Sequence, residues 1–222
     1  MKQRIIVITA HPDDAELGMG MRIKKHSSDN DEVILIVATG GEYRGNNYSR
    51  YSENKKASKI LGIKSEYFLG FKCGRLLGVS DELRTELERI IGIEQPELVY
   101  TIYPNDIHID HEVLSKQAKI ASRSIPNLIY FRVVNSLNFV PNCFFFGGEE
   151  LFNIKIKAIE CYVNEVKRKG TINLELLRSV SKSEYYHYFH HTSIKKIRND
   201  LRLGEKDNLY CEMFYTENIS II

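Results

Sequence analysis

The chain has 222 residues, 43% hydrophobic and 27% charged, with 31 basic and 29 acidic side chains for a formal net charge of +2. That length suits one α/β domain able to bury a core without disulfide staples, and the near-cancelled charge, with no basic run, argues against a nucleic-acid-binding surface. No stretch approaches the ~20 apolar residues of a membrane span, and the apolar run Ile5–Ile8 is too short for a signal peptide.

Four scattered cysteines, Cys73, Cys143, Cys161 and Cys211, form no CxxC pair. They read as free thiols in a reducing compartment, so a cytoplasmic protein is expected.

Taken in chain order, apolar β-rich runs alternate with amphipathic patterns. Strands are expected at Ile5–Thr9, Val33–Ala38, Tyr67–Leu69, Leu98–Ile102 and Leu128–Phe131. Three are nearly unbroken Ile/Val/Leu runs, as suits strands covered on both faces of a parallel sheet. Helices are expected between them at 17–27, 51–61, 81–93 and 111–122. The third carries Leu83, Leu87, Ile90 and Ile91 on one face, the spacing of an amphipathic helix. Ser80 is placed to cap it, with Asp81 and Glu82 in the first turn where the dipole favours acids.

Beyond residue 134 the pattern loosens. Asn135–Gly148, with Pro141 and the aromatic run Phe144–Phe146, reads as loop; helices follow at 151–168 and 173–189, and an apolar segment closes at Leu209–Tyr215. The expectation is a single α/β domain over 1–222. Its Rossmann-like core over 1–134 is a doubly wound, mostly parallel sheet with helices on both faces, and 135–222 is a helical and loop portion of the same domain.

Chemistry concentrates in two segments that each follow an expected strand. Ala10-His11-Pro12-Asp13-Asp14-Ala15-Glu16-Leu17-Gly18 follows the first, and Tyr103-Pro104-Asn105-Asp106-Ile107-His108-Ile109-Asp110-His111 follows the fourth. In an open α/β sheet, ligands bind at the carboxyl ends of strands where the strand order reverses. The first and fourth strands flank that point in a common order of this architecture, so the two loops are expected to meet.

Either segment alone has an ordinary reading, as a proline-fixed turn with an aspartate cap or as a capped helix start. Placed together they read as a site at the strand carboxyl edge. His11, Asp14 and His111 make a His₂Asp metal set with an open position for water. Two imidazoles favour zinc, or another divalent transition metal, over magnesium or calcium. Asp13 can serve as general base, His108 as hydrogen-bond donor to an oxyanion, and Asp110 can orient one of the histidines.

These motifs resemble the His-Pro-Asp-Asp…His-x-Asp-His pattern of the LmbE-like (PIG-L) family of zinc-dependent N-acetylglucosaminyl deacetylases. The resemblance implies zinc on His11, Asp14 and His111, Asp13 as general base, and His108 stabilising the tetrahedral intermediate. It also implies a small-molecule substrate, the N-acetyl group of an amino sugar or sugar conjugate. Thr39-Gly40-Gly41-Glu42, Arg50 and Glu53 with Leu61-Gly62, and Cys211-Glu212-Met213-Phe214 are similar to weaker family features. Gly20-Met21, Cys73-Gly74 and Arg132 stand where the family usually has Gly-Gly, Asp-Gly and glutamate, departures that bear on specificity rather than catalysis.

Arg44 and Arg50, after the second strand, and Asn105 and Asp106, beside the metal loop, are candidates to contact sugar hydroxyls or an anionic group. A surface ion pair with Glu53 is the alternative for Arg50. His187, His190 and His191, set among Tyr185, Tyr186 and Tyr188, read as an amphipathic or interface helix, because no acid completes an HExxH pattern. Phe144–Phe146 reads as core or subunit contact, which leaves a homo-oligomer open, and Lys167-Arg168-Lys169 as a solvated helix end. Rival functions are a metal-dependent amidase on a non-sugar substrate, a phosphoesterase short of carboxylates, and a catalytically silent carbohydrate-binding protein.

Overall fold

Residues 5–8 and 33–38 are entirely or almost entirely shielded from solvent, which demands cover on both faces of their sheet. The computed structural model, which describes residues 2–42, 50–168 and 171–217, supplies that cover. The strands are β1 (Arg4–Thr9), β2 (Glu32–Thr39), β3 (Ser65–Phe71), β4 (Leu98–Ile102), β5 (Asn127–Phe131), β6 (Cys143–Gly148) and β7 (Leu209–Thr216). They form one sheet in the order β3-β2-β1-β4-β5-β7-β6. The first five pair in parallel, while β7 runs antiparallel to both β5 and β6.

The helices are α1 (Asp14–Ser28), α2 (Tyr51–Leu61), α3 (Ser80–Glu94), α4 (Ile109–Ala121), α5 (Glu149–Ile159), α6 (Leu174–Ser183) and α7 (His191–Asp200). α1, α2 and α5 pack on one another, and α3 packs on α4, giving the mostly parallel sheet with helices on both faces. The chain winds outward from β1 to β3, then returns through α3 to lay β4 on the other flank of β1. Strand order therefore reverses between β1 and β4, the place where loops at the carboxyl edge open a crevice.

The second half departs from the sequence reading. Cys143–Gly148 is an edge strand, not loop. Its three phenylalanines alternate, Phe144 and Phe146 packing with Phe189 and Tyr185 while Phe145 faces the main core and Arg22. Because both faces are apolar, no hydrophobic alternation marks the strand. The helix expected at 151–168 stops at Ile159 and resumes as a short π-helical turn, Asn164–Arg168; Lys167 is exposed on that turn and Lys169 lies outside the described residues. The helix expected at 173–189 ends at Ser183, after Asn173 caps its start through the Leu176 amide at 3.0 Å. His187 ends a 3-10 turn and His191 opens α7, so the two do not share one helix face. Ser80 begins α3 without a side-chain cap bond.

One irregularity positions the site. α1 breaks at Met19, whose φ of −147° and ψ of 28° are not helical. The break frees the amides of Met21 and Arg22, and the Glu212 carboxylate of β7 accepts both, at 2.9 and 2.8 Å. Lys155 of α5 donates to the same carboxylate at 2.7 Å, and both side chains are buried. At Gly18 a Cβ would lie 2.8 Å from the Arg132 carbonyl oxygen, so only glycine lets α1 approach the end of β5 this closely.

Candidate active site

The loop after β1 and the loop after β4 meet at the switch point. His11 comes from the first, Asp14 is the first residue of α1, and His111 lies in the first turn of α4. Nδ1 of His11 and Nε2 of His111 face each other at 3.0 Å. Asp14 oxygens lie 3.6 Å from the first nitrogen and 3.5 Å from the second.

Carboxylates behind the rings fix which nitrogens carry protons. Nε2 of His11 lies 3.3 Å from Asp110 Oδ2. Nδ1 of His111 lies 3.1 Å from Asp106 Oδ1, an ion-pair distance at a poor hydrogen-bond angle. With a proton on each of those outer nitrogens, the inner ones present lone pairs. Three acceptors then converge on one buried point with no donor between them. That arrangement fits a divalent cation, and its N₂O donor set suits zinc.

The electrostatics agree. Burial opposes a charged His11, yet hydrogen bonds that its ring donates to Asp110 and Asp14 outweigh it and raise its pKa well above the usual value. His111 is likewise disfavoured by burial but raised to about 9 by Asp14 and Asp106. Burial would raise Asp14, but the two imidazoles hold it well below the ordinary carboxylate range. The cluster is thus built to surround positive charge.

Asp13 is different. Burial lifts its pKa to about 6 against the pull of Arg50, whose Nη1 is paired with Asp13 Oδ2. The guanidinium passes Gly41, whose φ is +69° and where any Cβ would collide with it. Arg50 therefore holds Asp13 rather than Glu53. Glu16, one turn along α1, is completely buried beside Asn54 and Tyr162, and its burial raises its pKa to about 8. Asp13 itself has φ 98°, a strained conformation for a non-glycine residue.

His108 caps α4, its Nδ1 accepting the Asp110 amide at 3.2 Å. A neutral ring must then carry its proton on Nε2. Burial and the neighbouring His11 and His111 lower its pKa, which favours that neutral donor form. Its ring centroid lies 4.6 Å from that of His11 and 4.8 Å from that of His111.

Asp110 accepts the Gly74 amide at 2.5 Å and the Leu76 amide at 3.2 Å, which aims it at His11. Asp106 is a correction: its side chain is fully shielded, accepting the His108 amide at 2.8 Å and the Ser136 hydroxyl at 3.1 Å. It braces His111 and is not open to a sugar hydroxyl. Asn105 is exposed in the same loop, its carbonyl taken by the Leu137 amide at 2.8 Å. Arg44 lies outside the described residues.

Sequence reasoning missed the brace from Ser136, the amides of Gly74 and Leu76, and the closeness of Cys73 to His11, His108 and Asp110. The only signal for the last was that Cys73 stands where an aspartate is usual. Arg132, another such departure, pairs with Glu184. His187, His190 and His191 are exposed and join no metal-competent cluster among the described residues. One turn of α1 away from Asp13, a cavity of about 350 Å³ that none of His11, Asp13, Asp14, His108, Asp110 and His111 lines is bounded by Leu17, Val133, Ile172 and Met213 and by the charged Arg132, Lys155, Glu184 and Glu212.

Fold and site together define an α/β protein with a His-Asp-His cluster that could hold a metal ion at the topological switch point. A family model described as GlcNAc-PI de-N-acetylase (PIG-L) matches residues 6–122, and the chain belongs to that family. An uncharacterised deacetylase of Escherichia coli K12, YaiS, is 30% identical over 166 residues, 72% of this chain and 90% of its own. Diacetylchitobiose deacetylase of Thermococcus kodakarensis is 30% identical over 121 residues, 49% of this chain and 45% of that enzyme. Among solved structures, the 4-carboxy-2-hydroxymuconate hydratase GalB of Pseudomonas putida KT2440 superposes with a TM-score of 0.72 at 18% identity, covering 99% of this chain and all of that one. The two curated relatives are named as deacetylases, and the hydratase shares the fold alone.

Proposed function

We propose that the chain removes the N-acetyl group of an amino sugar or sugar conjugate by hydrolysis, with zinc held by His11, Asp14 and His111. The observation that carries this reading is the convergence of three acceptors beside a buried carboxylate, Asp13, that is not one of them. Bound there, zinc supplies a Lewis acid that polarises an amide carbonyl and brings the pKa of a water down to about 7.

Asp13 takes the proton of the attacking water. Arg50 occupies its Oδ2, so Oδ1 is the oxygen assigned to proton transfer. A carboxylate shifted to about 6 is matched to that task near neutral pH, and it returns the proton to the departing amine. His108 donates its Nε2 hydrogen to the developing oxyanion. Asp110 and Asp106 hold His11 and His111 in register. The products are acetate and the free amino sugar.

The cavity behind Leu17 is the natural place for whatever the sugar is attached to. Leu17 donates its amide to the Asp13 carbonyl at 2.9 Å, so that wall lies one helical turn from the base. Its lining, Leu17, Val133, Ile172 and Met213 among the charged Arg132, Lys155, Glu184 and Glu212, favours an aglycone that carries apolar surface beside polar groups. Cytoplasmic location belongs to the same reading, supported by the absence of any disulfide among the four cysteines.

The test is acetate release by the zinc-loaded protein on N-acetyl sugars that differ in their aglycone, with Asp13→Asn as control. Turnover is expected to fall about 10²–10⁴-fold in the variant while zinc stays bound. No release from any sugar by a zinc-loaded wild type would overturn the reading. Equal rates with and without an amphipathic aglycone would remove the cavity from it.

A further inference from the structure

His11 has a second edge. Its Nδ1 belongs to the cluster with Asp14 and His111, but Nε2 faces Asp110. On that side His11, Cys73, His108 and Asp110 each bring one ligand-competent atom to within 4.8 Å of the others. His11 and Asp110 are buried, while Cys73 and His108 are only half-buried, so the group is open to solvent on one side.

We propose that Cys73, His108 and Asp110, on the Nε2 edge of His11, form a second cation site that takes a thiophilic divalent metal such as zinc or cobalt. The donor set is what separates it from the first site. Sulfur with imidazole and carboxylate selects borderline-soft transition metals and rejects magnesium and calcium.

The geometry is close to what such an ion needs. Around a tetrahedral ion with metal–nitrogen bonds near 2.0 Å and metal–sulfur bonds near 2.3 Å, ligand atoms sit roughly 3.3–3.8 Å apart. Closing from at most 4.8 Å takes no more than about 1.5 Å, within reach of side-chain rotation at the two half-buried members. The turn that carries Cys73 is already fastened, because the next residue, Gly74, donates its amide to Asp110 Oδ2 at 2.5 Å. Cys73 enters as thiolate, so its proton leaves to solvent when the metal binds.

An ion there takes His108 and Asp110 away from the roles given above, so excess metal suppresses turnover; that consequence alone rests on the deacetylase reading. The site itself is tested without substrate. Metal-free protein is titrated with Co²⁺. The first equivalent is expected to give ligand-field bands alone, and the second to add a thiolate-to-cobalt charge-transfer band, for about two ions per chain. Cys73→Ser is expected to lose that band and bind about one.

A measurement on the unaltered chain guards against a misfolded variant. Zn²⁺ beyond one equivalent should slow alkylation of Cys73 by iodoacetamide about tenfold or more, while the first equivalent leaves the rate unchanged. Three results overturn the proposal: one ion per chain with no thiolate band, a thiolate band already at the first equivalent, or Cys73 alkylation indifferent to zinc.

Discussion

Asp13 sits at φ 98° and ψ −25°, a conformation that costs a non-glycine residue of order 1–3 kcal/mol. Its surroundings enforce it: the Leu17 amide holds its carbonyl, Arg50 holds its carboxylate, and the His11 amide is tied to Asp14 Oδ2 at 2.8 Å. The twist turns two adjacent aspartates to different partners, one toward the imidazoles and one toward the guanidinium. His108 is fixed in a comparable way, since its Nδ1 is spent on a backbone amide and only Nε2 can face a substrate. His108→Ala should therefore lower kcat by about 10²–10³-fold, the usual cost of one oxyanion donor, with the first equivalent of zinc still bound. Metal loss in step with activity would make His108 a ligand of the catalytic ion instead. The six residues His11, Asp13, Asp14, His108, Asp110 and His111 were legible because they occupy two short segments, each following a strand, that strand order brings together. Asp106 was not, since a carboxylate beside a metal loop can as well bind a hydroxyl as brace a ring. Arg50 found its partner 37 positions back, beyond the reach of any local pattern.

The elements that carry these loops are held by a buried ion pair. Glu212 closes the break in α1 with both oxygens, and Lys155 neutralises it from α5. Lys155→Met leaves a buried carboxylate without its cation and should cost about 3–5 kcal/mol, measured as a loss in the free energy of urea unfolding. Glu212→Gln, which keeps an acceptor and removes the charge, should cost less on the Lys155→Met background than alone; additive costs would mean the two side chains are not coupled. At the other end of α1, His26 is wedged between Asp31 at 2.8 Å and the Tyr100 hydroxyl at 3.1 Å. Burial and Arg22 lower its pKa against the pull of Asp31. The unfolded chain therefore takes up a proton near the ordinary value of 6.5 that the folded chain refuses. Stability from this residue is present above that pH and is lost as pH falls below it. Urea midpoints of the wild type should fall more steeply across this window than those of His26→Gln, and parallel curves would refute the assignment. Periodicity revealed β1, β2, β4 and the helices between them, whose faces contrast. It failed at β6 and α7, where a strand with aromatic rings on both faces shows no contrast and a helix opening on His191 follows closely on a 3-10 turn.

At the scale of the whole molecule, the fold does not by itself choose the reaction, since a hydratase superposes on nearly the full chain. What the fold does fix is that the cation cluster joins two loops 100 positions apart in sequence, one on each side of the β1–β4 seam. A metal bound there ties the two halves of the sheet and, lacking that site in the unfolded chain, stabilises the native state by mass action. At a free zinc concentration one hundred times Kd the gain is about 2.7 kcal/mol, or roughly 5–10 °C in Tm for a domain of this size. The gain must also depend on pH in a definite direction. His11 and His111 bind metal through lone pairs that protons contest, and both imidazoles have raised pKa values in the metal-free cluster. Acidification therefore weakens zinc binding, and at fixed total zinc the Tm gain should shrink as pH is lowered from 8 toward about 6. Asp14→Asn should diminish the gain at every pH, because it removes the carboxylate that both rings share. A Tm shift indifferent to pH, or one that survives in Asp14→Asn, would place the stabilising ion somewhere other than the β1–β4 seam.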